Sequence, residues 1–124
     1  MGSAQPSGWL RPGNPGQAAN APRLLSMVPA NGDRHVDPKL SQMVLRFDRP
    51  MANPGWSIVG GGPLLPKVEN PSFDKTRTVW TASITLEPDH DYELWLNSAR
   101  FQGFRSEQGV PLEPVHVQFS TGRR

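Results

Sequence analysis

The sequence predicts an all-β fold, an antiparallel β-sandwich of about seven strands, and three observations carry that expectation. From Arg23 onward, short apolar runs alternate with turn clusters at intervals that suit strands and are too brief for helices. In the longer runs every second residue is apolar, so each run has one oily face and one wet face. Gly and Pro supply 12 and 14 of the 124 residues, enough to interrupt any long helix.

Arg23 to Val28 is the first expected strand, closed by Pro29-Ala30-Asn31-Gly32, where Pro removes a ladder donor and Asn-Gly tolerates a positive φ. Ser41 to Phe47 follows, with Met43, Leu45 and Phe47 set against Gln42, Val44 and Arg46. Trp56 to Val59 is a short strand ended by Gly60-Gly61-Gly62-Pro63. Arg77 to Leu86 places Trp80, Ala82, Ile84 and Leu86 on one face, making Trp80 the expected plug between the sheets. Tyr92 to Asn97 turns Tyr92, Leu94 and Leu96 inward and Glu93, Trp95 and Asn97 outward. Val115 to Thr121 turns Val115, Val117 and Phe119 inward and His116, Gln118 and Ser120 outward. The run Leu86-Glu87-Pro88-Asp89-His90-Asp91-Tyr92 has the pattern of a tyrosine corner, whose phenol bonds upstream backbone while its ring enters the core.

Residues 1–22 are rich in Pro and Gly, with Met1, Trp9 and Leu10 as their large apolar groups, and read as a flexible linker. Met1-Gly2-Ser3 resembles a cloning scar, and no apolar stretch of signal-peptide type follows it. The folded domain is expected over 23–122.

Composition excludes several classes of chemistry. Without cysteine there is no disulfide framework, thiolate nucleophile or Cys-based zinc site. No apolar run approaches the roughly 20 residues a membrane helix needs. Thirteen Lys and Arg against 11 Asp and Glu give a net charge of +2, spread along the chain and forming no phosphate-binding stripe, so no nucleic-acid partner is expected. The glycine run at 60–62 is followed by Pro63 instead of Lys and a helix, and neither a G-x-S-x-G nor an H-E-x-x-H motif occurs. No enzyme activity and no cofactor are expected. His35, His90 and His116 read as ordinary solvated histidines. Glu87, Asp89 and Asp91 put three carboxylates in one loop; calcium needs six or more oxygens, and the simpler role is a hydrated turn. Asp48 reads as a turn cap bonding nearby backbone, and Met51 as filler at the sandwich end.

Four blocks together resemble one family. Ser26-Met27-Val28-Pro29-Ala30-Asn31-Gly32 with Val36-Asp37-Pro38 forms an entry motif, and Val44-Leu45-Arg46-Phe47-Asp48-Arg49-Pro50-Met51 ends a strand in F-D-x-P-M. Leu86-Glu87-Pro88 through Tyr92-Glu93-Leu94 and Gly109-Val110-Pro111-Leu112 through Phe119-Ser120-Thr121 complete the set. In this order they resemble the bacterial Ig-like domains of the surface-layer-protein type. The stretches 52–76 and 97–108 depart from that pattern. The resemblance implies an Ig-like sandwich serving as a spacer or binding module of a secreted, periplasmic or cell-surface protein, monomeric when isolated. Its implied partners are neighbouring domains or a protein or glycan ligand, and it supplies no catalytic residues.

Candidate contacts come from the outward register and the end loops. Trp95, with His116 and Gln118 on the same outer face, has the groups to stack on a sugar ring or anchor a protein. Its alternative is packing against the N-terminal segment, a neighbouring domain or Arg stems. Phe101 and Phe104, flanked by Arg100 and Arg105, form either an exposed contact patch or, preferably, a cap on the open end of the core. A second functional reading is copper carriage, because the opening Pro-x-x-Gly and the strand ending in Phe47 also resemble periplasmic copper-carrier sandwiches. Met27, Met43, Met51 and the histidines would be its ligands; the N-terminal histidine of that family is missing here.

Overall fold

The computed structural model describes residues 20–123, so most of the expected linker lies outside the described residues. Among the described residues, seven strands form two antiparallel sheets. They are β1 (Leu24–Val28), β2 (Gln42–Phe47), β3 (Ile58–Val59), β4 (Lys67–Phe73), β5 (Val79–Thr85), β6 (Asp91–Leu96) and β7 (Val115–Ser120). One sheet has the order β1-β2-β5-β4 and the other β3-β6-β7. The all-β sandwich expected from the alternation is the observed architecture.

The period-two pattern decides which side chains meet. Met43, Leu45 and Phe47 of β2 and Trp80, Ala82 and Ile84 of β5 are buried from one sheet, and Leu94, Leu96, Val117 and Phe119 from the other. Trp80 is fully enclosed, as its register requires. Each of the Val, Leu, Ile, Met and Phe side chains among them contributes about 1.5–3 kcal/mol by leaving water. Met51, expected at the sandwich end, is also fully buried in this core. The Tyr92 ring packs on Phe119 with centroids 5.3 Å apart, and its hydroxyl accepts the Glu87 N–H at 2.9 Å, fixing the turn from β5 into β6.

β4 was not expected. Pro71 interrupts its sequence, and its side chains are mostly exposed, so no apolar alternation announces it. It is an edge strand, the position in a sheet that tolerates Pro. The register slips between Glu69 and Ser72, and Asn70 takes a φ of 55° there. Conversely, the expected third strand is shorter: Trp56 lies outside β3 and leans on Trp80 with ring centroids 5.9 Å apart.

The free edge of β7 is covered by the segment 31–36. Asn31 Nδ2 donates to the His116 carbonyl at 2.8 Å, and its Oδ1 accepts the Gln118 N–H at 2.9 Å. Gly32 N–H reaches the Gln118 carbonyl, Ser120 N–H the Asp33 carbonyl, and Val36 N–H the Ser120 carbonyl. Gly122 N–H closes the row on the Val36 carbonyl, beside a parallel bridge between Val36 and Thr121.

Asp48 does cap backbone, though not its own turn. Its Oδ1 accepts the N–H of Arg23, 25 residues away, at 2.9 Å, while Arg49 donates to both carboxylate oxygens. The Arg49 hydrogen bonds hold the Asp48 carboxyl below its ordinary pKa, against partial burial that pushes it up, with the Arg23 N–H assisting. At Asp74, desolvation raises the pKa, and the Thr76 hydroxyl with the N–H groups of Val79, Arg77 and Thr78 more than offsets this. A depressed folded-state pKa stabilises the fold above the unfolded value, about 3.9, and that contribution is lost as pH falls through the folded value. The thermal midpoint is therefore expected to fall as pH drops from 5 towards 2. Asp48→Asn should lower the neutral-pH midpoint and flatten this acid slope in calorimetric scans; an unchanged slope would contradict the assignment.

Candidate functional site

β6 and β7 pair residue for residue, Asp91 with Ser120, Glu93 with Gln118 and Trp95 with His116, and all six side chains share the outer face. The antiparallel register places such pairs about 4.5–5.5 Å apart at Cβ, close enough for direct side-chain contact. β3 extends the face by setting Val59 opposite Trp95.

Trp95 is 41% exposed, and its ring stacks on His116 with centroids 4.5 Å apart and planes 16° from parallel. Glu93 Oε2 is hydrogen-bonded to His116 Nε2 at 2.7 Å and accepts from Gln118 Nε2 at 3.2 Å. Ser120 Oγ donates to Asp91 Oδ1 at 2.7 Å. The indole therefore stands beside a hydrogen-bonded row of polar groups, on backbone that Asn31 pins from the opposite edge. A groove of about 370 Å³ adjoins it, lined in part by Gly32, Arg34, Asp91, Glu93, Gln118 and Ser120. The stacking partner of Trp95 is the His116 ring.

Three of the sequence-predicted contact residues, Trp95, His116 and Gln118, are thus brought together. Glu93 links them and was missed as a site residue, although it occupies the outward register two residues before Trp95. Asn31 and Arg34 were missed because nothing local in the sequence ties their loop to β7.

Phe101 and Phe104 are separated by the fold. Phe104 is 0% exposed, so its reading as part of an exposed patch is corrected: it caps the core, edge-on to Trp80 at 5.3 Å and 5.7 Å from Phe47. Phe101 is 54% exposed and borders a shallow apolar depression with Trp56 and Val59. Asn97, expected outward beside Trp95, is fully buried, because the chain leaves β6 there with a φ of 65° and swings the amide inward. Its Nδ2 donates to the carbonyls of Phe104 at 2.7 Å and Leu112 at 2.9 Å, and its Oδ1 accepts the Phe104 N–H at 3.0 Å.

Gly103 delivers Phe104. Its N–H donates to Ser57 Oγ at 2.7 Å, and a Cβ there would collide with the Trp56 carbonyl and with Ser57 Oγ. Gly103→Ala is expected to cost about 1–3 kcal/mol through forced backbone displacement, read as a lower urea midpoint. A midpoint equal to that of the parent chain would show that the crossing has room.

The methionines of the copper reading are core residues, not surface ligands. Met43 and Met51 are fully buried in the core and Met27 nearly so. His35 lies in an exposed turn and His116 is bonded to Glu93. His90 is not simply solvated: it is half-buried, stacked 4.3 Å from Tyr92 between ring centroids, because the loop folds over the corner. Asp91, which opens β6 after that loop, is bonded to Ser120. Among the described residues no three His, Asp or Glu side chains form a group that could hold a metal ion. Among them, too, no helix is long and apolar enough to cross a membrane.

Comparison with solved structures finds the crystal structure of the S-layer protein rSbsC, at 15% identity and a TM-score of 0.53. It also finds the structure of surface layer protein SbsC, domains 1-6, at 16% identity and a TM-score of 0.53. Each match covers 86% of this chain and 14% of the other, so the chain spans about a seventh of those proteins. At such identity the likeness is one of fold: an S-layer-like β domain. No family model matches the sequence, and no curated protein matches it.

Proposed function

We propose that this chain is a non-enzymatic, Ig-like module of a larger secreted or cell-surface bacterial protein, presenting the outer face of β6 and β7 to a protein or glycan. The observation that carries the reading is the exposed Trp95 ring, stacked on His116 and aligned with the Glu93–Gln118 pair. A flat apolar face beside fixed donors and acceptors suits a saccharide ring, whose faces are apolar and whose rim is hydroxylated. It suits an aromatic-anchored protein contact for the same reason.

The Ig-like assignment is supported by strand order. In the constant-type sandwich the first, second, fifth and fourth strands form one sheet and the third, sixth and seventh the other. That is the order β1-β2-β5-β4 against β3-β6-β7. The hydroxyl of Tyr92 bonded to Glu87, near the start of the sixth strand, supports a tyrosine corner. Likeness to S-layer domains supports a cell-surface setting among neighbouring domains.

The test is a glycan array probed with the chain and with Trp95→Ala. Binding to a restricted set of glycans, reduced at least tenfold in the variant at an unchanged thermal midpoint, is the expected result. If the variant binds as the parent does, Trp95 is no part of a glycan site.

A further inference from the structure

The four outer edges of the two sheets are treated unequally. β7 is covered by the segment 31–36, β3 is two residues long, and β4 carries Pro71, a register slip and the charged Lys67 and Glu69. Each is a known means of blunting an edge. β1 has a register slip of its own between Leu24 and Ser26, but it is five residues long, holds neither Pro nor a charged residue, and is uncovered among the described residues. It bonds to β2 on one side, and among the described residues no other segment bonds to its far side. Each strand of an antiparallel ladder turns every second residue's N–H and C=O away from its partner, so β1 offers a row of unpaired groups. Leu25, 64% exposed, and Val28, 47% exposed, flank that row. A depression of about 330 Å³ runs beside it, lined by Leu24, Leu25, Ser26, Met27, Ala30 and Asn31.

Charge selects the occupant. β1 carries no charged residue, but Arg23 before it and Arg46, paired with Ser26 on β2, are exposed and have no carboxylate partner among the described ion pairs. A strand added to β1 would lie about 10 Å from β2, within reach of an Arg side chain. Antiparallel joining of two copies through β1 would crowd both pairs of arginines at a joint whose nearby carboxylate, Asp48, is already held by Arg49. Residues 1–19 hold no Asp or Glu and carry Pro6, Pro12 and Pro15, so the chain's own leading segment is a poor match in charge and in hydrogen bonding.

We infer that the open edge of β1 accepts an extended, acid-flanked apolar strand from another polypeptide, by strand addition. This site lies on the opposite sheet from the Trp95 face and does not depend on the reading of that face.

The experiment uses a dye-labelled peptide of alternating Val and Thr with Glu at both ends, titrated with the full chain and followed by fluorescence anisotropy. Saturable binding is expected. It should weaken about tenfold for the counterpart ending in Lys, for the chain carrying Arg46→Glu, and as salt is raised. A peptide with Pro at its centre should not bind, because the added strand loses a ladder donor. Leu25→Lys should abolish binding while leaving the thermal midpoint in place. The inference is overturned if the acidic peptide fails to bind at millimolar concentration, or if the Lys and Pro peptides bind equally well. It is also overturned if removal of residues 1–19 raises peptide affinity at least tenfold, which would identify that segment as the occupant. A dimer in sedimentation velocity that Leu25→Lys dissolves would assign the edge to a second copy and overturn it too.

Discussion

Asn97→Ala is expected to destabilise the domain by about 3–5 kcal/mol, among the largest losses available from a polar residue in this chain. The substitution removes three hydrogen bonds within a fully enclosed site and leaves the Phe104 N–H, the Phe104 carbonyl and the Leu112 carbonyl without their partner. Each stranded group costs about 1–3 kcal/mol, and the three are not additive because water entering the void satisfies some of them. The positive φ at Asn97 adds to the loss, since Asn tolerates that conformation better than Ala does. Urea unfolding should show the drop in midpoint at an unchanged slope. Asn97→Asp is the sharper variant: it sets a carboxylate oxygen against two carbonyls, and should lose at least as much as Ala. If both variants unfold within about 1 kcal/mol of the parent, the side chain does not organise this loop.

Phe104→Ala is expected to cost about 3–5 kcal/mol as well, by a different route. Its ring is enclosed between Phe47 and Trp80, and truncation leaves a cavity between the sheets that packed neighbours fill only in part. Near-ultraviolet circular dichroism should report it, because the edge-on contact at 5.3 Å is part of the asymmetric surroundings of Trp80. Phe101→Ala, three residues earlier and 54% exposed, should stay within about 0.5 kcal/mol of the parent. Equal losses in the two variants would mean that the pair acts together at one end of the sandwich.

The contrast between these phenylalanines shows where sequence reading reaches its limit. Strands such as Arg77 to Leu86 were legible because alternation assigns faces without knowledge of partners, and Trp80 was placed correctly on that rule alone. The outer cluster was legible for the same reason: Trp95, His116 and Gln118 follow from register once β6 and β7 are neighbours. β4 was illegible because an exposed edge strand with Pro71 buries little and so imposes little pattern. Asn97 was misplaced because alternation fails at the residue where the strand ends. There a single left-handed φ reverses the direction of the side chain, and an amide can serve either side of that boundary. The coupling of Asn31 to β7 and of Asp48 to Arg23 joins residues far apart in the chain, and no local spacing records it.

The row of bonds between the segment 31–36 and β7 has a mechanical meaning. Val36 and Thr121 run in the same direction, so tension drawn through the leading and trailing ends of this body would slide the two segments lengthwise against each other. The contacts from Gly32, Ser120, Val36 and Gly122, with both grips of Asn31, would then share the load and yield together instead of peeling open singly.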